Sequence, residues 1–190
     1  MIEPTYSSAT PEGHPDEATI EAIIERIKQC VKDVSLGFER WDDPRARGPG
    51  LYFVIERDSL TEISVPMGNN RWSIEDCASV FAETDALLET AQNVGLSSDG
   101  AVVVHGDGTI EAEMVRVKQL SSVEESRNGE LPYAGWMGAR HMSALETSTR
   151  EEVTAAITLS EEDGRVTVFT DGTFEDAPAP SLMAESVTND

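Results

Sequence analysis

Cysteine is scarce. Cys30 and Cys77 are the only two in 190 residues, too few for a disulfide scaffold or a four-thiolate zinc site. Lysine is nearly as rare, with only Lys28, Lys32 and Lys118. No apolar run approaches the ~20 residues needed to cross a bilayer, which excludes a transmembrane chain. Met1 to His14 has neither the basic start nor the apolar stretch of a secretory signal. A Walker loop, a zincin helix, a nucleophile elbow and a dinucleotide glycine fingerprint are all missing.

What is abundant is negative charge. Asp and Glu number 36 against 14 Lys and Arg, a formal charge of −22. Such a surface repels nucleic-acid backbones and anionic lipid, so neither is an expected partner. The plain reading is a solvated acidic face. The reading preferred here is adaptation to high cytosolic salt, where screening blunts self-repulsion. The apolar share of 39% supplies a core for one domain, and its patterning argues against disorder.

Residues 1–15 carry Pro4, Pro11, Gly13 and Pro15 and read as a flexible arm. Ile20, Ile23, Ile24, Ile27, Val31 and Val34 share one helical face. Trp41 to Pro49 reads as a loop, and Leu51-Tyr52-Phe53-Val54-Ile55 as a buried strand. Ser73 to Asp76 resembles a capping box opening a helix through Ile74, Cys77, Phe81, Leu88, Ala91 and Val94, with Gly95 as its stop. Val102-Val103-Val104, a turn at His105 to Gly108 and a returning strand from Thr109 to Val117 follow. Ser121 to Pro132 reads as a polar loop, and Gly138 to Thr147 as a short helix. Strands at 155–159 and 166–169 meet across a turn at Glu162-Asp163-Gly164. Another turn at Asp171-Gly172 precedes an acidic tail over 176–190. The expected fold is α/β (α+β), one domain over 16–175 with a mixed sheet flanked by helices.

Two short segments suggest chemistry. Ser98-Asp99-Gly100-Ala101 opens a β-branched run. A carboxylate there can bind a divalent metal or take a proton from a hydroxyl, and Gly100 lets a ligand approach the backbone. Gly138-Ala139-Arg140-His141 opens a helix, where free N–H groups and a guanidinium favour phosphate. Taken singly, each has a bland alternative: an Asp-Gly turn, and a surface Arg beside a hydrogen-bonded His. His105 and His141 are isolated histidines and weak grounds for a metal site.

Taken in order, four blocks resemble the diadenylate cyclase domain, the catalytic domain shared with the DNA-integrity scanning proteins. They are Gly50 to Arg57, Asp99 to Val104, Gly138 to His141, and Leu159 to Val166. The similarity spans about residues 18–174. It implies a mixed sheet flanked by helices, and the joining of two ATP molecules into cyclic di-AMP with release of two pyrophosphates. It also implies a divalent metal, Mg2+ or Mn2+. By this resemblance Asp99, Gly100, Arg140 and His141 are the catalytic candidates. Ala101, Gly138, Ala139, Met142 and Ser160 line the ATP, and Asp99 and Glu161 are the metal candidates. Asp99 would lie near the ribose 3′-hydroxyl, Arg140 and His141 near the triphosphate, and Ser160 and Glu161 near phosphate and metal.

The chain departs from the family pattern at three positions. Ala139 stands for a threonine, Met142 for a second arginine, and Ser98 for a histidine found in several relatives. Charge-assisted phosphate contacts are each worth about 1.5–3 kcal/mol, so losing two costs roughly tens- to thousands-fold in rate or affinity unless another group substitutes. Arg57, Arg116, Lys118, Arg150 and Arg165 are the candidates.

A product with two-fold symmetry implies two subunits meeting face to face, as a homodimer or higher symmetric oligomer. With no room for further domains, the chain reads as a free-standing cytoplasmic enzyme. The alternative is a protein that binds ATP or cyclic di-AMP with weak or no catalysis. A third reading, a partner-binding protein with a decayed pocket, predicts no stabilisation by ATP. Trp41, Trp72, Trp136, Met137, Met142, Cys30 and Cys77 read as packing residues, with Tyr133 or Trp136 as possible adenine contacts.

Overall fold

A computed structural model describes residues 16–179; the arm over 1–15 and residues 180–190 lie outside them. Helix α1 (Glu17–Gly37) starts at Asp16, whose side chain caps the Thr19 N–H at 2.7 Å. Its apolar stripe, Ile23, Ile27, Val31 and Val34, is buried. The chain then enters β1 (Leu51–Glu56) and β2 (Ser64–Arg71), followed by α2 (Thr84–Ser97) and β3 (Val102–Val104). Strand β4 (Glu113–Val117) and helices α3 (Ser122–Asn128) and α4 (Ala139–Thr147) come next. The described chain ends in β5 (Val153–Leu159), β6 (Val166–Thr170) and β7 (Thr173–Ala177).

The main sheet runs β3-β1-β5-β6-β7, parallel only between β1 and β3. The mixed sheet expected for the fold class is present. Both faces of β1 are buried, which is why its sequence is apolar without alternation. Phe53 and Ile55 face α1 and α2 with Ile157 and Leu159. Tyr52 and Val54 face the opposite way, with Ala156, Phe169 and Ala144 of α4. Helices α1 and α2 cover one face of the sheet, while α4, Leu60 and Val117 of β4 cover the other, leaving room beside α4 for a cleft.

Several sequence expectations are corrected. The helix expected from Ile74 begins only at Thr84. Ser73 Oγ bonds the Asp76 carboxylate at 2.6 Å, but Asp76 and Cys77 only close a turn onto Ser73 C=O. Residues 74–83 instead wrap the β4 side, with Trp72 Nε1 donating to Cys77 C=O and Val80 N–H to Gly108 C=O. Gly95 is not a stop but lies inside α2. A β-carbon there would come within 3.0 Å of Pro49 Cβ, and its C=O accepts from Gly50 N–H. Strand β2 has no strand pattern in its sequence, because Pro66, Gly68 and two asparagines interrupt it. The returning segment after the His105 turn bridges β3 only at Ile110–Val104 and Val115–Ala101. Its ladder is with β2, forming a separate two-stranded sheet. The polar stretch at 121–132 holds α3, opened by a Ser121–Glu124 capping box. Asp176 and Ala177, expected in the tail, pair with β6 as the end of β7.

Candidate active site

A cleft of about 440 Å3 opens between the start of α4, the start of β3, β4 and the β5–β6 turn, within the size range of small-ligand sites. Asp99, Gly100, Ala101, Gly138, Ala139, Arg140, His141, Ser160 and Glu161 all line it. Segments far apart in sequence therefore meet in space. Of the nominated positions only Met142 is missing. One residue past His141, it points away from the cleft and is exposed.

The Asp99-Gly100-Ala101 corner is held by its backbone. Ala101 N–H donates to Val115 C=O at 2.7 Å and Val115 N–H returns a bond at 2.9 Å. Gly100 has φ +106°, and a β-carbon there would sit 3.0 Å from Val115 O and 3.2 Å from Met67. Only glycine suits both constraints. The corner presents the Asp99 carboxylate outward, 71% exposed, with Oδ1 3.8 Å from Arg140 Nη2.

Helix α4 begins at Gly138 with no side-chain cap, so its first N–H groups are open to the cleft. The Arg140 guanidinium lies back over the start of β1 in a seat formed by Gly50. A β-carbon at Gly50 would overlap Nη1 and stand 3.0 Å from Cζ. His141 behaves differently from its expected role beside phosphate. Its ring is only 6% exposed, edge-on to Trp136 at 5.1 Å and tilted against Phe169 at 6.4 Å. Burial pushes its pKa down to about 4, so the ring is neutral near pH 7, and its Nε2 has no partner. It packs the base of α4 rather than adding a positive charge.

Ser160 shapes the β5–β6 turn by accepting from Glu162 and Asp163 N–H groups at 3.3 and 3.4 Å. Glu161 then projects between two guanidiniums: Oε1 is 2.6 Å from Arg47 Nη2, and Oε2 is 3.7 Å from Arg140 Nη2. The Arg47 hydrogen bond, with help from Arg140, holds its carboxyl below the usual range against the opposing effect of burial.

Of the proposed substitute cations, only Arg116 lines the cleft. Arg150 is buried, bonding Glu124 and the Lys118 and Gln119 carbonyls. Lys118 is bonded to Glu62 C=O. Arg165 pairs with Asp163 and Asp176 and stacks on Trp136 at 4.4 Å. Arg57 lines a different groove, beside the start of α1. The cation missed by sequence reasoning is Arg47, on the loop before β1; Arg40, Arg45 and Arg47 on one loop of so acidic a chain were the available signal. Of the adenine candidates, Trp136 lines the cleft, whereas Tyr133 turns out to bond Glu146. Trp41 and Trp72 are structural. Trp72 is buried against Phe53, and Trp41 covers Gly48 and Gly164. Cys30 and Cys77 are both buried thiols.

His105 and His141 do not meet. His105 lies at the far end of β3, between Glu56 and Glu111. Among the described residues no group of three or more His, Cys, Asp or Glu side chains gathers to hold a metal. Asp99 and Glu161 nevertheless suit a hard cation that takes most of its ligands from substrate phosphates and one or two from carboxylates. Glu161 must first give up an arginine. Among the described residues no helix is long and apolar enough to cross a membrane.

Known proteins agree with this architecture. DacA from Staphylococcus aureus, solved as a double-cysteine variant, superposes with a TM-score of 0.50 at 18% identity, over 89% of this chain and 95% of that one. A Bacillus cereus structure described as a hypothetical membrane spanning protein superposes with a TM-score of 0.55, also at 18% identity, over 84% of this chain and 66% of that one. Comparison with curated proteins returns no match. The DAC family, described as DisA bacterial checkpoint controller nucleotide-binding, matches residues 46–174. That match spans the cleft from Arg47 to the β5–β6 turn, and the chain belongs to this family of diadenylate cyclase-type nucleotidyltransferases.

Proposed function

We propose that the protein condenses two ATP molecules into cyclic di-AMP and two pyrophosphates across a face-to-face pair of subunits. The observation that carries this is the approach of Asp99 to Arg140 within 3.8 Å at the uncapped start of α4. That approach supports reading Asp99 as the proton acceptor and Arg140 as the phosphate clamp on one edge of the cleft.

In this reading Arg140, the first N–H groups of α4 and Arg116 bind the triphosphate. Asp99 orients the ribose 3′-hydroxyl, and that oxygen attacks the α-phosphorus of the nucleotide held by the facing subunit. Pyrophosphate leaves in line, and the work of the site is positioning and charge neutralisation. Asp99, with Glu161 as second carboxylate, would hold a divalent Mg2+ or Mn2+, which when bound neutralises charge on the phosphates. His141 holds α4 in register through its packing on Trp136 and Phe169. The subunits pair by a two-fold axis because each supplies both a nucleophile and an electrophile. The protein works in the cytoplasm, where ATP is found.

The test is incubation of pure protein with ATP and Mn2+ and detection of cyclic di-AMP by mass spectrometry. Wild type should form it, and Asp99→Asn, folded to the same melting temperature, should not. Full product from Asp99→Asn would refute the role given to that carboxylate. Stabilisation by ATP with no product from wild type would favour a nucleotide-binding protein instead, a reading that Ala139 favours by lacking a hydroxyl donor.

A further inference from the structure

In the first turn of α4, Ala139 has no polar group and Met142 points away from the cleft, so Arg140 is the one guanidinium that the turn directs there. Four carboxylates, Asp99, Glu161, Glu162 and Asp163, line the same cleft. A triphosphate carries about four negative charges at neutral pH, so such a cleft needs further cations.

Arg47 has the geometry to supply one. Its root is fixed and its tip is exposed, held by Glu161. On one side of it, Gly48 N–H donates to Glu161 C=O at 2.9 Å, and the Gly48 α-carbon lies so close under Trp41 that a β-carbon would overlap the indole. Trp41 is itself held by Nε1 donating to Ser35 C=O at 2.9 Å. On the other side, Ala46 N–H donates to Asp43 C=O at 2.9 Å. The side chain is nonetheless 76% exposed. Its guanidinium meets Glu161 at 2.6 Å, while Arg140 reaches the other oxygen of the same carboxylate at 3.7 Å. One carboxylate bridging two forks occupies the position where a phosphate would find both sets of donors.

We infer that Arg47 is a movable phosphate arm, exchanging its Glu161 partner for the outer phosphates of an incoming nucleoside triphosphate and leaving the Glu161 carboxylate free to face the reacting centre. This rests on the ATP-condensing reading above and adds a specificity-determining residue to it. Because the arm rises from the rim, it reads the phosphates beyond the α-position, which become the leaving pyrophosphate. The pair that it gives up is exposed, and such pairs contribute little to stability.

The experiment is calorimetric titration with 3′-deoxy-ATP, which lacks the attacking hydroxyl, and with AMP. Wild type, Arg47→Ala, Arg47→Lys and Arg45→Ala are compared, the last being an exposed cation on the same loop that does not line the cleft. Arg47→Ala should weaken 3′-deoxy-ATP binding at least ten-fold and AMP binding less than two-fold, with an unchanged melting temperature. Arg47→Lys should recover part of the loss, and Arg45→Ala should match wild type. Unchanged affinity in Arg47→Ala, an equal loss for both nucleotides, or an equal loss in Arg45→Ala would each overturn the assignment. If wild type binds neither nucleotide and makes no cyclic di-AMP, the ATP reading itself fails. Product from wild type with an unaffected Arg47→Ala removes the arm alone.

Discussion

The seat that Gly50 provides for Arg140 leads to a substitution that should damage the site and spare the fold. Gly50 is buried at the start of β1, and its N–H is bonded to Gly95 C=O at 2.8 Å. Its φ lies outside the left-handed region, so alanine is permitted there by the backbone. What the new β-carbon meets is the tip of a long side chain: Nη1 overlapped, Cζ at 3.0 Å and Nη2 at 3.1 Å. The guanidinium has to leave its seat, and nothing in the backbone needs to shift. Gly→Ala at a compatible backbone position adds about 0.4–1 kcal/mol by restricting the unfolded chain, which roughly offsets any lost packing. Thermal melting should therefore stay within ~2 °C of wild type. On the role proposed for Arg140, a displaced guanidinium would lose one charge-assisted phosphate contact, about 1.5–3 kcal/mol, or roughly a 10- to 150-fold fall in kcat/KM for ATP. Steady-state cyclic di-AMP formation measured beside a thermal melt reads both quantities. Wild-type kcat/KM in a well-folded Gly50→Ala protein would refute the argument that this seat positions Arg140. A collapse in melting temperature would refute the argument that only a side-chain tip stands in the way.

Arg150→Ala should lower the melting temperature by roughly 5–15 °C, because it strands the Lys118 and Gln119 carbonyls and Glu124, a cost of about 2–4 kcal/mol. Hydrogen bonding to Arg150 is the main cause that holds Glu124 down to about 2. Its contribution is present above its ordinary pKa of 4.5 and fades as pH falls toward 2, so acid titration of stability should flatten over that range in the variant. Burial alone would lower the His105 pKa, but its bonds to Glu56 and Glu111 outweigh that and raise it above 6.5. Its stabilising effect is therefore complete below pH 6.5 and lost as pH rises through the raised value. The melting difference between wild type and His105→Gln should shrink across that rise; a difference that grows with pH would contradict it. With a formal charge of −22 per chain, the proposed pairing of subunits predicts activity per chain that rises with protein concentration and with KCl to an optimum, and a flat profile from low to multimolar KCl would remove the electrostatic argument.

Local pattern was enough to read α1, β1, β3, β5 and β6, because their burial is written in spacings of 3.6 or in continuous apolar runs. Asp99-Gly100-Ala101 and Gly138 to His141 stood out by the order of four blocks and the resemblance that it carries, not by local pattern, which left each with a bland alternative. Pattern failed where partners are distant. Strand β2 looks like a loop because its ladder to β4, not its own residues, makes it a strand. The helix expected from Ile74 does not form because residues 74–83 are bonded across to the β4 side.

The sequence by itself determined the mixed sheet, the acidic surface and the family of the site, since composition, periodicity and motif order are all one-dimensional properties. Tertiary structure alone decided which charges face the cleft. It buried His141 as a neutral ring, spent Arg150 and Arg165 on structural partners, turned Met142 outward and brought Arg47 from the α1–β1 loop to Glu161. The reason is physical: whether a charge is free to bind depends on desolvation and on the nearest opposite charge, and both are set by neighbours that sequence distance does not reveal.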